Sequence, residues 1–172
     1  MSVSTANSDE TPAPCVADNI SVRIQTQDFD VGEEIRLLRA ANAAIGAVAS
    51  FVGVVRDLND DRDVAAMQLE HYPGMTERAI EHIAVQASAR WRLCGVTVLH
   101  RVGKLHPLDQ IVLVVVASAH RGDAFAACEF IMDFLKTRAP LWKKESTSEG
   151  ARWVAARTSD DDAAERWQEP PN

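Results

Sequence analysis

The chain is poor in cysteine, and its three cysteines are badly placed for joint work. Cys15, Cys94 and Cys128 are odd in number, widely spaced and form no CxxC pair. That argues against a disulfide framework or a zinc site, and makes a reducing cytoplasm the expected compartment. No apolar run approaches the roughly 20 residues that cross a bilayer. Met1 to Asp18 is Ser, Thr, Ala, Asp and Pro, without the basic-then-apolar layout of a secretion leader, and reads as a flexible tail. Internal repeats are lacking, and so is a glycine-rich phosphate loop of the GxGxxG or GxxxxGK kind. His71, His82, His100 and His106 share no ligand spacing, so no metal and no cofactor is expected.

What remains is an acidic, soluble-type composition. The 172 residues carry a net charge of -7 and are 47% hydrophobic, enough for one domain with a sizeable core. We place that domain at residues 19–158, with an acidic tail from 159 to 172. Ile20 to Thr26 alternates as a strand does. Asp30 or its neighbours can open a helix reaching about Ala44. Gly46 to Val55 reads as a buried strand, Leu58 to Asp63 as an exposed loop, and Val64 to Tyr72 as a strand stopped by Pro73-Gly74. Thr76 suits an N-cap, with Glu77 in the first turn of a helix running to about Trp91. Val96 to Val102 and Gln110 to Ala117 are strands, and the second is apolar throughout and therefore central.

Gly122-Asp123 opens a helix whose inner face is Ala124, Ala127, Cys128, Ile131 and Leu135, and it must end before Pro140. Leu141 to Ser146 and Arg152 to Ala156 are short strands about a turn at Ser148-Glu149-Gly150. Strands and helices follow each other without a regular βαβ rhythm, which favours an α+β fold.

Charge is distributed unevenly. Between residues 118 and 144, five Lys/Arg meet three Asp/Glu. A nucleic acid would call for a much broader basic surface, so the expected ligand is a small anion. His120 and Arg121 stand where the central strand gives way to a helix, and backbone N–H groups at a helix start suit phosphate or carboxylate. A helix cap at His120 and an Arg121–Asp123 pair would also account for them. Lys136 and Arg138 complement the dipole in the last turn, so stability alone could explain both. Lys143, Lys144 and Glu145 fit a solvated edge strand guarded by lysine, with Lys143 and Glu145 on one face and Lys144 on the other. Pro140 forces a reversal that can bring Lys136 and Lys143 together, where neighbouring ammonium groups lower each other's pKa. No cysteine has the exposed, electropositive setting of a reactive thiol.

Five blocks now matter together: Phe51-Val52-Gly53-Val54-Val55-Arg56, Leu69-Glu70-His71-Tyr72-Pro73-Gly74-Met75, His100-Arg101-Val102-Gly103, Ser118-Ala119-His120-Arg121, and Leu135 through Pro140 to Glu145. In this order they closely resemble the catalytic (large) subunit family of molybdopterin synthase, over about Ile20 to Trp167. Leu108 departs from the pattern, standing where the family often has glycine before an acidic residue.

The resemblance implies the α/β hammerhead fold and a cytoplasmic sulfurtransferase, a homodimer within a heterotetramer bearing a small ubiquitin-like sulfur carrier at each end. It implies transfer of two sulfurs, from the carrier's thiocarboxylated C-terminal glycine to cyclic pyranopterin monophosphate, giving the molybdopterin dithiolene. By the same resemblance Lys136 and Lys143 are catalytic. His120 and Arg121 hold the substrate phosphate; Val54, Val55, Arg56, Lys144 and Glu145 line the pocket; and Arg157 reaches it from the other protomer. The alternatives are a non-catalytic docking module for the carrier, and an enzyme acting on a nucleotide or phosphosugar.

Overall fold

The computed structural model of the chain describes residues 19–40, 42–56, 58–59, 62–63, 66–147, 150–154 and 163–167. The elements are β1 Ile20–Gln25, α1 Val31–Ala40, β2 Ala47–Val54, β3 Leu58–Asn59, β4 Arg62–Asp63, β5 Ala66–His71 and α2 Met75–Arg90. They continue with β6 Leu93–Arg101, β7 Gly103–Leu105, β8 Gln110–Ser118, α3 Arg121–Arg138, β9 Leu141–Thr147 and β10 Gly150–Val154. A first sheet has the order β1-β6-β8-β2, and only its β1–β6 pair is parallel. A second, antiparallel sheet has the order β10-β9-β5-β7, and β3 and β4 form a small hairpin. The class is α+β, as the order of elements predicted.

The core is built on both faces of β8. Val112, Val114 and Val116 pack with Ile80, Ile83, Phe130 and Ile131 of α2 and α3. Leu113, Val115 and Ala117 face the other way, against Phe29 and Leu38 beside and on α1. Each side chain buried in this way stabilises the fold by about 1.5–3 kcal/mol, which explains the unbroken apolar run. The second sheet leans on the first through Val55, Met67, Leu69 and Leu105.

Four sequence expectations are corrected. The strand expected to be buried, β2, is an edge strand of the first sheet, with Phe51 and Val54 exposed. β9, expected at an edge, is an inner strand between β10 and β5. The loop expected at Leu58 to Asp63 contains the β3–β4 hairpin. Thr76 is not the N-cap of α2: Gly74 is, at φ +78°, and its amide donates to Glu77 Oε2 at 2.6 Å. Thr76 is instead buried, and its hydroxyl donates to the Pro140 carbonyl at 3.0 Å. At α1 the capping expectation holds, because Asp30 Oδ1 accepts from the Glu33 amide at 2.9 Å.

The His100-Arg101-Val102-Gly103 block is structural. Arg101 is buried, donating to the Gln110 carbonyl at 3.0 Å and to Asp28 Oδ1 at 3.2 Å, which ties β6 to the start of β8. His100 is also buried, and its Nδ1 donates to the Arg101 carbonyl at 2.8 Å. Burial pushes the imidazole pKa down to about 4, with a smaller contribution from His71 in the same direction.

An unfolded histidine protonates near 6.5, so acidification favours the unfolded chain first. We predict that stability drops by up to about 3 kcal/mol from this group as pH falls from about 6.5 to 4. Urea melts of wild type and His100→Gln across that range should converge as the pH falls. A constant gap would refute the assignment.

Leu108 generates a second prediction. The turn at His106-Pro107-Leu108-Asp109 closes with the Asp109 amide on the His106 carbonyl at 3.0 Å, and Leu108 sits at φ +76°, 86% exposed. This position favours glycine, because a Cβ at positive φ costs about 1–2 kcal/mol. Leu108→Gly should therefore raise stability by up to about 1 kcal/mol after the loss of chain entropy, read as a higher Tm.

Candidate functional site

The helix α3 carries a basic group at each end. Its N-cap, His120, is extended at φ -124°, and both His120 and Arg121 are exposed. The turn before them is held tightly. Ser118 Oγ donates to the Arg92 carbonyl at 2.8 Å and accepts from the His120 amide at 3.2 Å. Gly46 donates its amide to the Ser118 carbonyl at 3.0 Å, and a Cβ there would lie 2.4 Å from the Ala119 carbonyl oxygen. Only glycine lets β2 begin so close to this turn.

At the other end, Lys136 is exposed in the last turn of α3, and Lys143 is half-buried in β9. The reversal between them is pinned by the Leu141 amide on the Ala139 carbonyl at 2.8 Å and by the Thr76 hydroxyl on Pro140. Lys143 pairs with Leu69 and therefore shares a face of the second sheet with buried Leu69 and Met67. Arg56 follows Val55, whose amide donates to the Asp109 carbonyl at 2.9 Å and whose carbonyl accepts from the Leu108 amide at 2.9 Å. The Val55 side chain is fully buried, so only its backbone can line a pocket, whereas Val54 is exposed. Lys144 and Glu145 lie opposite Gln68 and Met67 in the β5–β9 register. Arg157 lies outside the described residues.

The two ends do not meet. β2 begins opposite Ser118 and ends opposite Gln110, and α3 runs back from Arg121 over the same strands. The sequence gap between Arg121 and Lys136, at 1.5 Å rise per residue, puts them roughly 22 Å apart along the helix. Arg56, Lys136 and Lys143 belong to one end of the sheet, and His120 and Arg121 to the opposite end. One chain therefore cannot bring Arg121 and Lys136 to the same phosphate.

Between the ends lies a groove of about 450 Å³ along α3 and the open edge of β2, lined by Phe51, Phe125, Cys128, Met132, Asp133 and Lys136 among others. Sequence reading missed Phe51, Phe125 and Met132. The available signal was Phe125, a large apolar residue off the inner stripe of α3 and 67% exposed. Arg138, which the charge count grouped with Lys136, points elsewhere: its guanidinium lies 4.0 Å from the centroid of the Phe134 ring.

Neither described cysteine offers a nucleophile at this groove. Cys128 is buried, and its thiol is pushed up to about 11, chiefly by burial and then by the Glu129 carboxylate. Cys94 is buried and disulfide-bonded, so it offers no free thiol.

A family model described as "MoaE protein" matches residues 24–138. The chain belongs to the MoaE family. It is 62% identical over 147 residues to the molybdopterin synthase catalytic subunit of Ralstonia nicotianae, covering 86% of this chain and 84% of that one. It is 57% identical over 150 residues to the subunit of the same name from Pseudomonas aeruginosa, covering 87% of this chain and all of that one. Among solved structures, the molybdopterin biosynthesis MoaE protein of Burkholderia ambifaria superposes with a TM-score of 0.76 at 59% identity, covering 87% of this chain and 99% of that chain. The MoaE fold accordingly stands for this chain, and the likeness extends past the family model into β9.

With its pKa raised, Cys128 is almost wholly protonated at neutral pH, and thiols react as thiolates. Iodoacetamide at pH 8 should alkylate native Cys128 at least tenfold more slowly than the urea-unfolded chain. Equal rates would show an accessible, ionised sulfur.

Proposed function

We infer that the chain is the catalytic subunit of molybdopterin synthase, working as a homodimer with a small ubiquitin-like sulfur-carrier subunit on each protomer. The reaction is transfer of two sulfurs, one from each of two thiocarboxylated carrier C-termini, to cyclic pyranopterin monophosphate. The observation that carries this reading is the 57–62% identity to subunits of that name over most of both chains, in a fold of the family, beside a cysteine too buried to carry sulfur.

Substrate phosphate and carrier thiocarboxylate are both anions, so bringing them together requires several fixed cations. Arg121 suits the phosphate, since a planar guanidinium stays charged and matches its oxygens in pairs. Lys136 and Lys143 suit the reacting end, where the carrier's carbon–sulfur bond breaks and a carbon–sulfur bond to the pterin side chain forms. An ammonium can release a proton there, which a guanidinium cannot.

The separation along α3 favours a site shared by two protomers. β2 is an open edge with Phe51 and Val54 exposed, and antiparallel pairing of β2 with its own copy would place the Ala47 end of one beside the Val54 end of the other. Arg121 of one protomer then approaches Lys136 of its partner, and the groove at Phe51 and Phe125 closes. A non-catalytic docking module would have no use for this constellation, and a nucleotide or phosphosugar enzyme none for a carrier.

Kinetics separate the roles. Arg121→Ala should chiefly raise KM. Lys136→Ala should lower kcat by about a hundredfold or more, and Lys136→Arg should not rescue it. A fully active Lys136→Arg would reduce Lys136 to an electrostatic anchor. Unchanged turnover in Lys136→Ala with the carrier still bound would favour the docking module.

Co-expressing Lys136→Ala with Arg121→Ala tests the shared site. Mixed dimers contain one intact site and one doubly defective site, so a statistical mixture should regain about a quarter of wild-type activity. No complementation would mean that each protomer works alone.

A further inference from the structure

On the face of α3 away from Lys136 lies a second basic feature that sulfur transfer does not use. A groove of about 340 Å³ runs between the C-terminal parts of α2 and α3, with Arg90 and Arg138 on its walls, Phe130, Phe134 and Trp167 as its floor, and Gln86 at its side. Both guanidiniums are held by stacking: Arg90 lies 4.9 Å from the Phe130 centroid and Arg138 lies 4.0 Å from that of Phe134. The two rings are 4.5 Å apart, and both arginines line the one groove.

Among the described residues neither arginine has a carboxylate partner. The two acids of α3 nearest in sequence are occupied elsewhere. Glu129 and Asp133 both pair with Arg166, at 2.7 and 2.6 Å, and Asp133 Oδ2 also accepts from the Trp167 indole at 2.8 Å.

Stacking uses the face of a guanidinium and leaves its N–H edge free for a bidentate oxyanion. The half-buried Trp167 indole suits a flat apolar group, and the volume falls at the lower end of small-molecule sites. We propose that this groove is a second ligand site, taking a small aromatic ring that bears a phosphate or carboxylate. Arg90 and Arg138 hold the oxyanion, and the half-buried Trp167 faces the ring, with Phe130 and Phe134 buried beneath the arginines. The site is separate from the sulfur-transfer groove and stands whether or not that reading does.

Phenyl phosphate is the probe, titrated calorimetrically into full-length protein carrying Arg121→Ala, so that the other anion site is silenced. One equivalent should bind per chain, and the Trp167 indole N–H should shift in the nitrogen–proton spectrum while that of Trp142, near Lys143, stays put. Adding Arg90→Gln and Arg138→Gln should weaken binding at least tenfold, and inorganic phosphate should bind at least tenfold more weakly than phenyl phosphate. Should the glutamine pair melt early, Arg90→Lys with Arg138→Lys keeps the charges but loses the planar fork, and should still weaken binding severalfold. Absence of binding, binding unaffected by either pair of substitutions, or a shift confined to Trp142 would overturn the proposal.

Discussion

The whole structure depends on burying β8 from both sides. Its even-numbered valines require a layer of helix on one face and its odd-numbered residues require another layer opposite. Once α2 and α3 cover one side and α1 the other, the strand cannot lie at an edge. β6 and β2 must flank it, and the chain on either side inherits its position. The turn from β8 into α3 is then fixed by its location at the strand end, and Ser118, Gly46 and Arg92 hold it there. Every charged group proposed for chemistry hangs from this frame.

The same frame explains why the basic groups divide. A helix that returns along its preceding strand carries its first and last residues to opposite ends of the sheet. Arg121 and Lys136 are separated by a rigid rod, and no side-chain rotamer shortens it. In sequence they look like members of one cluster, because residue number records the helix as a short interval. In space that interval is most of the length of the sheet. The open edge of β2 supplies the compensating feature, since a two-fold axis exchanges the ends.

The family blocks also divide by physical role. Arg101, His100 and Gly103 join strands and turn the chain, and their polar atoms are spent on backbone carbonyls. Gly74 and Glu77 cap α2, and Thr76 reaches across to Pro140. Thus part of what makes the sequence recognisable is scaffold for the reversal that carries Lys136 and Lys143. Leu108 shows the same division from the other side. Its positive φ is a backbone requirement of the Pro107 turn, met here by a residue that fits it poorly.

Much was legible without coordinates. Alternation located β1, the Pro73-Gly74 stop bounded β5, an unbroken apolar run located β8 and helical spacing located α2 and α3, and the apolar stripe of α3 proved buried at every position named. These are local or one-dimensional properties, set by side-chain period and by the bans that proline and β-branching impose. The residues of the blocks likewise identified the family, because chemistry is carried by residue type.

Tertiary structure alone decided strand neighbours, and with them which strands lie at edges. β2 reads as buried, since Ala, Val and Gly are typical of interiors, yet it is open along one side. β9 reads as an edge because of its lysines, yet it has a neighbour on each flank. Pairing is a relation between segments far apart in the chain, and no local period encodes it. The distance between Arg121 and Lys136, and the turning of Arg138 onto Phe134 rather than toward Lys136, follow from the same cause: direction and separation arise only when the helix is laid on its sheet.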